Sequence, residues 1–329
     1  MVNTALHRRL PLMAVGIAVV LWSTSFGISS EVLKTASPAV LSVGRFAIGL
    51  IVLVPLAARR PLFARTLRDP RTILLGLLGV AIYYSLTNIG LEFTTPGTAA
   101  LSNAALPALT ALLGLFILKE RLPPRTIVGL VLATAGVVIV AGAGLTVDSG
   151  VLLCLIGLAS YSLYTVLLRK GVLAEPRERA AGGRQTAESV DPLVLATATA
   201  VWGTAIMLPW LVAEMAVGAA AIPSGWGGLG GLLVLGVVIT APTLVLFNFG
   251  AERLPAAATG VLTAAIPALG YLFALVLGEP FDAMTALGGA VALVGVAIAS
   301  VTAPSTDSSP AGSGLPPHED VAAGTSAVD

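Results

Sequence analysis

The stretch Gly90-Leu-Glu-Phe-Thr-Thr-Pro-Gly97-Thr-Ala-Ala-Leu-Ser-Asn103-Ala-Ala-Leu-Pro107-Ala-Leu continues as an apolar run that ends at Leu118-Lys119-Glu120. A shift of 160 positions places it on Gly250-Ala-Glu-Arg-Leu-Pro-Ala-Ala-Ala-Thr-Gly-Val-Leu-Thr263-Ala-Ala-Ile-Pro267-Ala-Leu, whose apolar run ends at Leu277-Gly278-Glu279. The glycine, the glutamate, the Ala-Ala and Pro-Ala pairs and the leucine are identical in register. A repeat of this length in an apolar chain indicates an architecture of two related halves.

The composition identifies the solvent around those halves. Hydrophobic residues make up 56% of the 329 residues and charged residues only 11%, whereas soluble domains carry about 25% charged residues. An apolar run of about 20 residues is enough for a helix to cross a bilayer. We refer to the ten such runs as spans one to ten, in chain order: Leu12–Ile28, Pro38–Ala58, Thr72–Phe93, Gly97–Leu118, Thr126–Gly144, Ser149–Leu168, Pro192–Met215, Trp226–Phe249, Ala256–Leu277 and Ala283–Thr302.

The spans lack the polar alternation of barrel strands, and backbone groups in lipid must be paired within their own segment, so the fold class is an all-α membrane protein with ten transmembrane helices. With a cytoplasmic N-terminus, sixteen of the eighteen basic residues fall in inside segments; the exceptions are Lys34, outside, and Arg45, within span two. This split follows the positive-inside rule. It predicts a multi-pass protein of the cell membrane with both termini in the cytoplasm.

The repeat also has a geometric meaning. Gly90 closes span three and Gly250 closes span eight, and an offset of five spans reverses the direction across the membrane. The two five-helix repeats are therefore inverted copies, an arrangement found in transporters whose site lies at the repeat interface. The expected organisation is a cytoplasmic N-terminus at residues 1–10, a first repeat at 11–145, a second at 146–302 that includes a cytoplasmic linker at 170–191, and a disordered tail at 303–329.

Several polar and aromatic side chains share helical faces within the spans. Trp22, Ser25 and Ser29 are spaced i, i+3 and i+7, and Tyr84, Asn88 and Glu92 are spaced i, i+4 and i+8. Such stripes either face a cavity or make contacts between helices. On the first interpretation, the candidate substrate-binding residues are Trp22, Ser25, Arg45, Tyr84, Asn88, Asn103, Tyr161, Tyr164, Asn248, Thr263 and Tyr271.

Arg45 stands out because it is the one Lys or Arg within a span. Seven residues of helix carry it roughly 10 Å past Pro38. An arginine at that depth costs at least about 2.5 kcal/mol unless it pairs, snorkels or lines water. It therefore either contacts an anionic group such as a carboxylate, or has a structural role, capping carbonyls or pairing with Glu31.

Pro107 and Pro267 lie mid-span at equivalent positions of the repeat, so the carbonyls of Asn103 and Thr263 lose their usual helical donors. Breaks of this kind are tolerated where protein or a water-filled cavity supplies partners. The prolines are candidate hinges of the two halves, and static kinks are the alternative.

These features together resemble the EamA-type carriers of the drug/metabolite transporter superfamily: Trp22-Ser-Thr-Ser-Phe26, Arg45-Phe46, and the stretch from Thr98 to Glu120 with its second copy ending at Glu279. The resemblance covers roughly the first 300 residues. It implies two inverted five-helix repeats that move small metabolites, often amino acids and often outward. It also implies a central cavity lined by spans one, three, four, six, eight and nine.

The expected function is a secondary transporter of small organic metabolites, amino acids or related compounds above all, working by alternating access. A multidrug or nucleoside- and vitamin-type carrier of the same fold is an alternative, as is a membrane scaffold without transport. Facilitated diffusion is the first hypothesis for coupling, with proton antiport through Glu92 as the second. Small residues on span ten, Gly288, Ala292, Gly295 and Ala299, predict a possible homodimer surface.

Other partners and chemistries are not expected. The two histidines lie in the tails, and Cys154 is the single cysteine, so no disulfide, metal site, cofactor or enzymatic centre is predicted. The basic residues serve topology and contact the lipid bilayer rather than nucleic acid. The predicted partners are therefore a small-molecule substrate and lipid.

Overall fold

The structure, a computed structural model, describes residues 2–119, 122–142, 148–180, 190–251 and 262–301. Within these ranges the chain forms helices and no strands. Eight helices are long and apolar enough to cross a membrane: Leu10–Leu33, Pro38–Ala58, Pro70–Gly90, Pro96–Ile117, Pro124–Gly142, Ser149–Leu168, Pro192–Ala216 and Trp226–Phe247. Two shorter apolar helices, Ile266–Val276 and Ala283–Ala299, occupy spans nine and ten. The all-helical membrane fold is thus confirmed, while the exact count of ten crossings stays a prediction.

The helix ends differ from the predicted boundaries in places. The first helix extends from Val2 to Leu33 and the sixth from Ser149 to Ala180, so helix includes part of the predicted N-terminal segment and part of the predicted linker. A short helix, Phe63–Arg68, lies in the basic loop after span two. The start of predicted span nine and the predicted tail from residue 303 lie outside the described residues.

Contacts at the helix ends agree with spans that alternate in direction. Arg60, just after span two, lies 3.6 Å from the carboxylate of Asp191, just before span seven. At the opposite ends of the same two spans, the Ser37 hydroxyl donates a 2.5 Å hydrogen bond to the Glu214 carboxylate. Spans two and seven therefore run antiparallel, as expected for two spans that are five crossings apart.

Large apolar side chains cover the outside of the helical bundle. Ile51 is 73% exposed, Val131 62% and Phe116 70%. Exposed apolar area of this kind would be a liability in water and is the expected surface toward lipid chains.

The small-residue face of span ten packs inside the chain. A Cβ added to Gly136 would lie 2.7 Å from the Cα of Ala292, and one added to Gly129 would lie 2.9 Å from the Cα of Ala299. Spans five and ten therefore approach each other at backbone distance along this stripe. The interpretation of this face as a dimer surface is wrong, because span five already covers it; a homodimer through another face stays a prediction.

Spans four and nine break at the repeated prolines. Span four passes from the helix Pro96–Ser102 through a 3-10 turn, Asn103–Ala105, into the helix Leu106–Ile117, with Pro107 in its first turn. The Asn103 carbonyl, which Pro107 deprives of its usual helical donor, accepts a hydrogen bond from the Leu106 amide instead. In the second half the Ala265 amide donates to the Leu262 carbonyl at 3.1 Å. The helix Ile266–Val276 then begins one residue before Pro267.

Both spans also end alike. Lys119 and Gly278, which precede the repeated glutamates, have positive φ angles of 56° and 96°. After span nine, the Gly278 and Glu279 amides donate to the Leu275 and Ala274 carbonyls, both at 3.0 Å, which is the Schellman pattern of a helix C-terminus.

Candidate functional site

A cavity lies among six helices at the interface of the two halves. Its volume is about 70 Å³, which is room for roughly five water molecules. The described residues that line it come from spans one, two, three, six, seven and eight: Trp22, Arg45, Phe46, Gly79, Val80, Tyr84, Tyr161, Tyr164, Ala196, Thr199, Ala200, Thr240, Thr243 and Leu244. These spans form three repeat-related pairs, one with six, two with seven and three with eight. The cavity is thus built from equivalent parts of both halves.

This lining differs from the one that the family resemblance implies. Spans two and seven contribute, whereas no described residue of span four or nine is among the lining residues. The helix breaks at Pro107 and Pro267 therefore lie beside the cavity-forming helices rather than in the wall. The sequence analysis did not include Phe46, Thr199 and Thr243 among the candidate residues. The position of Phe46 next to Arg45 is a signal that could have identified it. Thr199 lies in an alternating Ala-Thr run of span seven, which is also typical of close packing between helices.

Arg45 provides the charge of the cavity. Its side chain is almost completely buried, with 3% of the residue exposed. Its guanidinium donates to the Ser25 hydroxyl at 3.2 Å and to the Thr240 hydroxyl at 3.4 Å. The carbon of the guanidinium also lies 4.9 Å from the centre of the Tyr84 ring and 5.7 Å from that of Phe46, within the range of cation–π attraction.

The alternative pairing with Glu31 is not present. Glu31 instead forms an i, i+3 pair with Lys34, at 2.5 Å, at the end of span one. Among the described residues the partners of Arg45 are all neutral, so its positive charge is stabilised by hydroxyl oxygens and ring faces rather than by a carboxylate.

Two π-helical segments shape opposite walls of the cavity. One covers Leu77–Ile82 and leads into Tyr83 and Tyr84; the other covers Val234–Thr240. Each contains the triplet Leu-Gly-Val, at 78–80 and 235–237. Such segments leave carbonyls with altered partners and are frequent at functional sites.

In each of these segments a backbone carbonyl accepts a hydrogen bond from a side-chain hydroxyl. Ser160 of span six donates to the Leu78 carbonyl at 2.8 Å, and Thr240 donates to the Leu235 carbonyl at 2.7 Å. Because the Thr240 proton is used in that bond, the oxygen's lone pairs are left to accept from Arg45. The π segment of span eight therefore orients the hydroxyl that holds the guanidinium.

Aromatic rings of the wall pack against one another and against rings behind them. The Tyr83 ring contacts the rings of Tyr84 and Tyr161, at centroid distances of 4.8 and 5.0 Å, and Tyr161 contacts Tyr164 at 5.3 Å. On the other side Trp22 packs against Phe247 at 4.9 Å. The cavity thus combines one cation, several hydroxyls and apolar ring faces, which is suited to a small molecule with a carboxylate and an apolar part.

The predicted residues Trp22, Arg45, Tyr84, Tyr161 and Tyr164 are brought together in this lining, with Ser25 bound to Arg45. Four others are elsewhere. Asn88 is buried and donates to the Ser42 hydroxyl at 2.8 Å. Asn103 donates to the Ala99 carbonyl and accepts from the Tyr83 hydroxyl. Tyr271 donates to the Asp282 carbonyl at 3.4 Å, and Thr263 is outside the lining. The Asn248 side chain lies outside the described residues.

The carboxylates of the described residues lie at the ends of the helices. Glu92 lies two residues beyond the apolar helix Pro70–Gly90, where partial burial and the nearby charge of Glu214 raise its pKa. Glu279 follows span nine and accepts a 2.8 Å hydrogen bond from the Gly97 amide at the start of span four. No group of three His, Cys, Asp or Glu side chains that could hold a metal occurs in the described part of the chain.

Comparison with known proteins gives the same fold and class. The chain is 24% identical over 306 residues to the uncharacterized transporter YyaM of Bacillus subtilis, covering 89% of this chain and 94% of that protein. It is 28% identical over 289 residues to a probable terminal-alkyne amino-acid exporter of Streptantibioticus cattleyicolor, covering 86% of this chain and 91% of that protein. A crystal structure that is 21% identical, with a TM-score of 0.61, covers 89% of this chain and 98% of its own; at that identity it shows the fold alone.

A family model matches both halves of the chain. Residues 10–142 and residues 148–301 each match the same family, described as the EamA-like transporter family. The two matched stretches take in the six helices of the cavity, the repeated prolines and both copies of the motif ending in glutamate. The chain therefore belongs to the EamA-like transporter family and is a multi-pass membrane transporter.

Proposed function

We propose that this transporter moves small carboxylate-bearing metabolites, amino acids or related compounds, outward across the cell membrane by alternating access. The observation that carries the proposal is Arg45, a buried cation in the wall of the cavity, whose partners among the described residues are all neutral. A charge at that depth is costly to keep unpaired, and intramembrane ionisable residues typically mark substrate pathways. A carboxylate would supply the missing partner through a charge-assisted hydrogen bond.

The symmetry of the wall supports alternating access. Spans one, two and three of the first half are matched in the lining by spans six, seven and eight of the second half, in inverted copies. Rocking one half against the other would open the cavity first to one face and then to the opposite one. The breaks at Pro107 and Pro267 lie in one of the two remaining repeat-related pairs, spans four and nine, where bending would accompany that motion.

The size of the cavity is consistent with a closed form. A volume of about 70 Å³ holds roughly five waters, which is enough for a carboxylate and a few attached atoms. The aromatic rings of Trp22, Tyr161 and Tyr164 would contact the apolar part of the substrate. The relative named as an amino-acid exporter adds support for the class and for the outward direction.

The location and organisation of the protein complete the proposal. The distribution of basic residues favours the cell membrane with both termini in the cytoplasm. The repeats at 11–145 and 146–302 act as the two moving halves, joined through the linker at 170–191. Facilitated diffusion remains the first coupling hypothesis, since no described carboxylate lines the cavity.

Uptake and counterflow in proteoliposomes test the proposal against a panel of labelled amino acids, nucleosides and cationic drugs. The expected result is saturable transport of amino acids or related carboxylates that Arg45→Ala abolishes and Arg45→Lys partly retains. Lys34→Ala, which removes an exposed cation outside the cavity, is the matched control and should transport normally. Transport of cationic drugs that persists in Arg45→Ala would refute carboxylate recognition, and no transport of any class would refute the carrier function proposed here.

A further inference from the structure

The charge balance of the cavity narrows the substrate class further, on the basis of the function proposed above. Arg45 is the one charged side chain among the described residues that line the cavity; the others are aromatic, apolar or hydroxyl-bearing. Its hydrogen-bond partners, Ser25 and Thr240, carry no charge. The described lining of the cavity therefore carries a net charge of one positive unit.

No described carboxylate is placed to neutralise it. In the described part of the chain, the two ion pairs join Lys34 with Glu31 and Arg60 with Asp191, both at helix ends. The charge of Arg45 is thus left for a ligand to balance.

A zwitterion and a simple carboxylate would interact differently with this site. The carboxylate of either one pairs with Arg45, but the ammonium group of a zwitterion finds no acidic side chain among the described lining residues. Ring faces would be its best partners, but those of Tyr84 and Phe46 already face the guanidinium. The rings of Trp22, Tyr161 and Tyr164 would contact the apolar part of the substrate. A buried charge without a partner opposes binding.

We infer that this site selects monoanionic carboxylates over zwitterions of the same carbon skeleton, so that amino acids whose amino group is removed or neutralised are its better ligands. The basis is the coincidence of one buried cation, neutral hydroxyl partners and an aromatic wall in a single small cavity. The hydroxyl of Thr240, fixed by its bond to Leu235, keeps the guanidinium directed between spans one and eight.

Calorimetric binding to the purified full-length protein in detergent at neutral pH tests this with four probes of one skeleton. These are pentanoate, norvaline, pentanamide and pentylamine, which carry a negative charge, both charges, no charge and a positive charge. The expected order has pentanoate tightest, norvaline at least tenfold weaker, pentanamide weaker still and pentylamine without binding. In Arg45→Gln, the advantage of pentanoate over pentanamide should disappear; Lys34→Gln, outside the cavity, should keep the full order.

The outcomes separate this inference from the function on which it rests. Norvaline binding as tightly as pentanoate, with both lost in Arg45→Gln, would overturn the inference and leave an amino-acid carrier. Pentanoate binding no better than pentanamide in the unaltered protein would overturn both. If Arg45→Gln does not fold, Arg45→Lys keeps the charge and should keep the order of the four probes, while a reversed order in that variant would count against charge selection.

Discussion

The carboxylate of Glu279, at the end of span nine, accepts a hydrogen bond from the amide of Gly97, at the start of span four, with a nitrogen–oxygen distance of 2.8 Å. The amide lies in the first turn of a helix, where backbone donors have no partner of their own and a negative charge is favourable. Glu279, with which the second copy of the repeated stretch ends, therefore joins the two halves in this structure.

We expect Glu279→Ala to lower the free energy of unfolding by about 1.5–3 kcal/mol, the range for hydrogen bonds to charged groups. Glu279→Gln, which keeps an acceptor oxygen and loses the charge, should fall between that variant and the unaltered protein. Gly97→Ala should also destabilise, since its Cβ would come within 2.7 Å of the Tyr271 ring. Thermal unfolding in detergent measures these effects, and an unchanged Tm in Glu279→Ala would show that the contact contributes nothing.

The Thr240 hydroxyl joins the cavity to the backbone of span eight. Thr240→Val has nearly the same volume but leaves the Leu235 carbonyl without its donor and Arg45 without one acceptor. We expect a loss of about 1–3 kcal/mol in unfolding free energy, whereas Thr240→Ser should be close to the unaltered protein. Equal Tm values for the two variants would contradict the role of the hydroxyl.

The prolines of spans four and nine should affect turnover more than binding. In Pro107→Ala the new amide gains access to the Asn103 carbonyl, which would convert the 3-10 turn into continuous helix and stiffen span four. Pro267→Ala should act alike in the second half. We expect kcat for transport to fall several-fold while KM changes little; Pro55→Ala, on an exposed face of span two, is the control. A parallel loss of kcat and affinity, or no change in either, would contradict the hinge interpretation.

The sequence predicts the fold better than it predicts the site. The repeat, the span lengths and the paired prolines follow from composition, helical periodicity and the chemistry of proline, all of which are local properties. Trp22, Arg45 and the tyrosines of spans three and six were found because large or charged side chains at membrane depth need a special environment.

The errors have a common physical cause, which is that helix rotation is set by packing between spans. Asn88 shares a face with Tyr84 in the sequence, yet it is paired with Ser42 of span two and is outside the lining. The small residues of span ten indicate close packing correctly, but only the tertiary structure shows that span five is the partner. Thr199 and Thr243 carry no signal of their own until spans seven and eight are placed around Arg45.

Glu92 gives a pH dependence whose sign can be worked out. Partial burial and, to a lesser extent, the charge of Glu214 raise its pKa above the usual carboxyl value of 4.5. Between the ordinary and the raised pKa, the folded protein binds more protons at this group than the unfolded chain does, so this group's contribution to stability falls as the pH rises through that window. Glu92→Gln cannot ionise and should lack this contribution.

The difference in Tm between the unaltered protein and Glu92→Gln should therefore decrease as the pH is raised from about 4, near the ordinary carboxyl pKa, to about 7. Glu214→Gln removes one of the two causes and should make the decrease smaller without abolishing it, since burial of Glu92 remains. A difference that is constant with pH, or that grows, would contradict the raised pKa. The same variants test proton antiport: a dependence of transport on the pH gradient that vanishes in Glu92→Gln would favour coupling at the outer end of span three, and its persistence would locate the proton elsewhere.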